Sequence, residues 1–86
     1  MDSITVHPRV KERHPEINDE DVITAWNSFI CRTTRVDTFD DNHIAVGFDA
    51  TGRLLEMVAV QLPDNGWFVF HAMLATTKAL RELGLI

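Results

Sequence analysis

The sequence holds a single cysteine, Cys31, which excludes an internal disulfide framework and any cysteine-paired zinc site. No apolar run approaches the roughly 18 residues that a membrane-spanning helix requires. The opening "MDSITVHPRV" has no apolar segment after a basic start, so a signal peptide is not expected and the cytoplasm is the expected location. Basic residues are also scarce: eight Lys and Arg stand against thirteen Asp and Glu, a formal charge of −5. A general nucleic-acid binder normally carries the opposite sign, because phosphate neutralisation supplies most of its affinity. There is no internal repeat, low-complexity tract or linker. What is present is a 45% hydrophobic share in 86 residues, enough for one compact core and too much for disorder, so residues 1–86 are expected to form one domain.

The charge is uneven. "HPRVKERH", residues 7–14, carries Arg9, Lys11, Arg13 and two histidines against Glu12, whereas residues 37–64 carry six acids and one base, Arg53. A basic end on an acidic body can bind a local phosphate without binding duplex strongly. Pro8 suits the first turn of a short helix that Pro15 ends. In "INDEDVITAWNSFI", Asn18 is a candidate N-cap with Asp19, Glu20 and Asp21 behind it. Val22, Ile23, Trp26, Phe29 and Ile30 then trace one buried helical stripe. The period next changes to two. "TTRVDTF" reads as an edge strand, and "HIAVGF", "RLLEMVAVQL" and "WFVFHAM" read as a meander closed by the turns "DATG" and "PDNG". "TTKALRELGLI" reads as a last helix, capped by Thr76 or Thr77, with Leu80 and Leu83 inward and a stop at Gly84. The expectation is an α+β fold with two N-terminal helices, a three- to four-stranded antiparallel meander and a C-terminal helix.

Tight turns fix a register. With Asp49 and Gly52 flanking the first, Val46 faces Leu55 and Ile44 faces Met57. With Pro63 and Gly66 flanking the second, Leu62 faces Trp67, Val60 faces Val69 and Val58 faces His71. One sheet face then carries Ile44, Val46, Phe48, Leu55, Met57, Ala59, Phe68, Phe70 and Ala72. The other carries Leu54, Glu56, Val58, Val60, Leu62, Trp67, Val69, His71 and Met73. On that second face Glu56 is the diagonal neighbour of His71, close enough for a carboxylate to orient an imidazole. The pair suits either a structural contact on a half-covered sheet or a small active site. Trp67, Val69, Leu62 and Val60 on the same face are expected to meet another chain, because so much apolar surface does not stay wet.

Lys78 and Arg81, three apart on the last helix, can reach one anion together or serve as ordinary surface charges. His7 and His14 suit a solvated helix face first, with first-turn caps or phosphate contacts as the alternatives, and Cys31 is read as a small core hydrophobe. No H-x-H, H-x₃-H or H-E-x-x-H spacing, P-loop, dinucleotide fingerprint or G-x-S-x-G occurs, so no metal or cofactor is expected.

"KERHPEINDEDVITAW" resembles the basic, histidine-containing segment and acidic-capped helix that open BrnT-like toxins, of the type "KHGI…EEA…F". "IAVGFDATGRLLEMVAV" is similar to their "G…GRVLVV" hairpin, and "FVFHAM" stands where they carry "RIISAR". The resemblance covers most of residues 9–75. It implies a RelE-like fold and a ribonuclease toxin of a type II pair, neutralised by an antitoxin. Lys11 and His14 match the "KH", Arg53 the "GR" arginine, and His71 with Ala72 the end of the last strand. The two arginines of "RIISAR" are replaced by apolar residues around Phe68 and by Met73. Under this reading His71, Glu56 and Arg53 carry catalysis, while Lys11, His14, Lys78 and Arg81 bind RNA phosphate. The alternative is a non-catalytic interaction module, a dimer or an adaptor, which the acidic charge favours.

Overall fold

A computed structural model of the chain describes residues 3–35 and 41–86. The element order is β1 (Ile4–Val6), α1 (Pro8–Arg13), α2 (Asp19–Asn27), β2 (Phe29–Thr34), β3 (Asn42–Phe48), β4 (Leu54–Gln61), β5 (Trp67–Leu74) and α3 (Thr77–Glu82). The fold is α+β; strands β3 to β5 pair antiparallel in the expected order, and β2 adds an antiparallel edge earlier in the chain than the expected one. The arrangement differs from expectation at its first element. β1 precedes the helices and pairs parallel with β5, giving a mixed five-stranded sheet in the order β1-β5-β4-β3-β2. Three residues carry too little periodicity to announce a strand. Only tertiary pairing creates β1, through Trp67 N–H to Ser3 O and His7 N–H to Val69 O, both 2.8 Å.

Both N-terminal helices start as their sequences dictate. Pro8 occupies the first turn of α1, and the His7 ring accepts a hydrogen bond from Arg9 N–H at 2.9 Å. Asn18 precedes α2, its N–H bonded to Asp21 Oδ2 at 2.8 Å. α2 ends at Asn27, earlier than the apolar stripe suggests, and Phe29 and Ile30 belong to β2 instead. Gly47 lies beneath this end of the helix: a Cβ there would lie 2.1 Å from Ala25 O and 3.1 Å from Phe29 Cα, so α2 and the start of β2 rest directly on the β3 backbone. Of the expected strand "TTRVDTF", Thr33 and Thr34 lie in β2, and residues 36–40 are outside the described residues.

Helices cover both faces. Val10, Ile17, Val22, Ala25 and Trp26 pack on Ala45, Leu55, Met57, Ala59, Trp67, Val69 and Ala72. On the other side α3 seats Ala79 against Ile44 and Val58, with Phe70 and Leu83 alongside. α3 is capped by the Thr76 hydroxyl and followed by Gly84 at φ 75°, as its sequence indicates.

The register corrects two of the expected faces. Asp49 N–H bonds Arg53 O (2.9 Å), Gly52 N–H bonds Asp49 O (3.1 Å) and Gly52 has φ 86°. The first hairpin therefore has a three-residue loop with a left-handed glycine, not a two-residue turn. Pairing shifts by one: Val46 faces Glu56, Ile44 faces Val58, and Ile44 packs with Ala79 of α3 while Ala45 takes the α2 side. The second loop repeats the pattern, with Asn65 at φ 68° and Leu62 N–H bonded to Gly66 O. Val60 consequently faces Phe68, not Val69, and Trp67 faces Gln61. An irregularity between Val58 and Ala59 then inserts Phe70 as an extra residue on β5, which restores Val58 opposite His71 as expected.

Candidate functional site

Glu56 and His71 lie on the α3 face of neighbouring strands β4 and β5. Their contact is direct: His71 Nε2 sits 2.9 Å from Glu56 Oε2. The other carboxylate oxygen, Oε1, accepts Thr76 N–H at 2.8 Å and the Thr76 hydroxyl at 2.6 Å. Glu56 is 8% exposed. Burial alone would raise its pKa, but the Thr76 hydroxyl, His71 and the Thr76 N–H together outweigh that and hold the carboxyl below its ordinary range. Glu56 is thus an ionised, acceptor-only group at neutral pH. A neutral His71 must then carry its proton on Nε2, which leaves Nδ1 with the lone pair.

His71 opens into a cleft of about 390 Å³ lined by the cations Arg9, Arg13, Arg35 and Lys78 and by the carboxylates Glu56 and Glu82. Arg35 makes a bidentate pair with Glu82, at 2.7 and 3.0 Å. A smaller adjoining cleft of about 210 Å³ shares Arg9, Arg13, Phe70 and His71 and adds His14, whose Nδ1 is 3.8 Å from Glu16. A protein of net charge −5 thereby gathers four cations against two carboxylates around one imidazole. Such local excess is what an anionic group recognises.

Not every expected residue comes here. Lys78 does, and His14 reaches the adjoining lobe. Lys11 lines a separate recess with Val6, Pro8, Glu12, Pro15 and Asp19, which shares no residue with the His71 cleft. Arg81 is exposed in the last turn of α3 and does not line that cleft. Arg53 is engaged in the fold: its guanidinium bonds Asp49 Oδ2 (2.7 Å), Asp21 Oδ2 (3.1 Å) and Glu16 O (3.1 Å), tying the β3–β4 loop to the start of α2. Trp67 and Val69, expected on an interaction face, are 5% and 0% exposed on the α1–α2 side. Trp67 lies against Trp26, His43 and the Arg32 guanidinium. Leu62 and Val60 are only partly exposed. Their faces follow from the three-residue loop before Trp67, which no two-residue turn would have produced. Among the described residues the exposed large apolar side chains are Phe29, Ile30, Phe48, Leu74, Leu85 and Ile86.

Arg9 and Arg13, which the sequence marks only as part of a basic segment, are the two of its cations that line the His71 cleft. Their signal was available, since i and i+4 share one face of a helix while Lys11 between them points elsewhere. Among the described residues no group of three or more His, Cys, Asp or Glu side chains is placed to hold a metal ion, and no helix is long and apolar enough to cross a membrane.

Asp49, beneath Arg53, is a structural counterpart to this site. Its side chain is inaccessible and accepts the Thr51 hydroxyl, the Thr51 and Arg53 N–H groups and the Arg53 guanidinium. Burial opposes ionisation, yet these donors hold its pKa down to about 2. A carboxyl depressed in the folded state stabilises above its unfolded pKa of ~3.9 and loses that contribution as pH falls toward the folded value. Asp49→Asn should therefore cost on the order of 1–3 kcal/mol at pH 7. The gap from wild type should narrow steadily below pH ~4 in denaturant titrations, as the wild-type carboxyl itself protonates. A gap independent of pH would contradict this account.

A scan against protein-family models finds no match, and searches of the curated proteins and of the solved structures find none either.

Proposed function

We propose that the chain cleaves RNA by internal transesterification in the His71 cleft, acting as the toxin of a type II toxin–antitoxin pair. The observation that carries the reading is the company His71 keeps: a buried, ionised carboxylate behind it and Arg9, Arg13 and Lys78 around it. Strand cleavage without an external nucleophile needs a base for the 2′-hydroxyl, cations for the charge that grows on phosphorus, and a protonated leaving oxygen. His71 Nδ1 takes the 2′-hydroxyl proton, and O2′ forms a bond to phosphorus. Arg9, Arg13 and Lys78 stabilise the crowded anionic phosphorane. The P–O5′ bond then breaks, O5′ leaves as a hydroxyl with a proton from solvent, and His71 returns its own proton to solvent. The products are a 2′,3′-cyclic phosphate and a 5′-hydroxyl.

The toxin assignment and its antitoxin partner rest on the resemblance to BrnT-like proteins, as does a RelE-like grouping of the fold. The exposed Phe29, Ile30, Phe48, Leu74, Leu85 and Ile86 offer an antitoxin or a second copy a seat. The same residues favour the second reading, a non-catalytic dimer or adaptor, which the net charge of −5 also suits. One experiment separates them. Purified protein is incubated with end-labelled RNA oligonucleotides and with versions carrying a single 2′-deoxy substitution. Cleavage that leaves a cyclic phosphate and stops wherever the 2′-hydroxyl is missing supports the enzyme. Intact RNA throughout, with no growth inhibition on overexpression, supports the adaptor.

A further inference from the structure

The Glu56 carboxylate has two oxygens and divides them. Oε2 meets His71, while Oε1 is occupied by a single residue, Thr76, which supplies both its backbone N–H at 2.8 Å and its hydroxyl at 2.6 Å. The hydroxyl has a second contact, Ala79 N–H at 3.2 Å, which caps α3. The direction of this relay is settled by chemistry. An amide N–H only donates and an ionised carboxylate only accepts, so Thr76 Oγ1 accepts from Ala79 and must give its own proton to Glu56. No alternative orientation of the hydroxyl satisfies both neighbours.

From this geometry we infer that Thr76 is a positioning residue for the His71 cleft, its hydroxyl fixing the Glu56 carboxylate so that Oε2 holds His71 Nε2 and presents Nδ1 to the substrate. The inference rests on the proposed function only for its kinetic consequence, because the orientation of the imidazole is a property of the free protein. Thr76 also opens the helix that carries Lys78, two residues on, into the same cleft. One side chain thereby sets both the tilt of the imidazole and the start of the element bearing a cation beside it. A residue that merely capped α3 would need only an acceptor toward Ala79. The donated bond to Glu56 is the surplus that a capping role leaves unexplained.

Three variants divide the two roles. Thr76→Ser keeps the acceptor and the donor. Thr76→Gly keeps most of the worth of the cap but has no hydroxyl to give Glu56. Thr76→Val keeps the shape and loses both. The first readout is the His71 Nε2–H proton in nitrogen-15-edited NMR, a resonance visible only while a hydrogen bond protects it from exchange with water. It should be present in wild type and Thr76→Ser and absent in Thr76→Gly and Thr76→Val. The second readout is RNA cleavage, where kcat should fall by ~10- to 100-fold in Gly and Val with KM changing little, and Ser should restore it. If the Nε2–H resonance survives in Thr76→Gly and Thr76→Val, and only their melting temperatures fall, Thr76 is a cap and the inference is wrong. If wild type shows the resonance, the variants lose it, and no RNA is cut by any of them, the positioning stands and the ribonuclease reading fails.

Discussion

His71→Ala is expected to lower RNA cleavage by ~10²- to 10⁴-fold, the usual worth of a positioned general base, while the protein stays folded. The fold survives because the imidazole is about a third exposed and lies outside the α3-side cluster of Ile44, Val58, Ala79, Phe70 and Leu83. Glu56 loses one of its partners but keeps Thr76 on Oε1, and its freed Oε2 can meet water entering the cleft. The stability cost is therefore about 1 kcal/mol, near the lower end of what an orphaned buried acceptor incurs. A purely structural histidine makes the opposite forecast. Its removal would lower the melting temperature strongly and change no activity, because the wild type would have none. Thermal melts and cleavage assays on the same preparation decide between the two. Overexpression of wild type and variant in cells adds the physiological arm: the proposed toxin inhibits growth, and His71→Ala relieves the inhibition.

The Glu56–His71 pair was legible in the sequence, yet for an incomplete reason. Alternation and a tight turn at "PDNG" place Val58 opposite His71, and that pairing is present. It arises from two offsets that cancel: a three-residue loop ending in left-handed Asn65 shifts the strand by one, and the extra residue at Phe70 shifts it back. Between the two offsets the parity is reversed. That is why Trp67 and Val69 lie buried under α1 and α2 instead of offering a face to a partner. At the first hairpin nothing cancels the shift, so Ile44 and Val46 change sides. The signal for that loop was present locally, since an Asp three residues before a glycine suits a type I turn with the glycine then left-handed. β1 had no comparable signal, for its pairing with β5 is purely tertiary. The Thr76 cap was readable from its own stretch, whereas its bond to Glu56, twenty residues away, needed the register of β4 and the entry of α3 to be known together.

Replacing both Arg9 and Arg13 with alanine should reduce cleavage by ~10²-fold or more, since removing a single donor to a developing anion commonly costs that much. These two side chains line both lobes beside His71, so in the proposed reaction they are the cations that would meet the phosphate and then the phosphorane. The control sits on the same short helix. Lys11 lies between them in sequence but lines a recess that shares no residue with the His71 cleft, and Lys11→Ala changes net charge in the same direction. A general electrostatic attraction of RNA by the basic segment would make the three positions roughly interchangeable, with similar losses per charge and a similar flattening of salt dependence. A site built around His71 makes them unequal. Arg9→Ala and Arg13→Ala should each lower kcat, and Lys11→Ala should leave it within about twofold of wild type. Because α1 buries only Val10, the three exposed side chains can be truncated with little effect on folding, and melting temperatures should stay within a few degrees of one another. Equal losses at all three positions would detach the arginines from the chemistry and leave the cleft as a surface charge cluster.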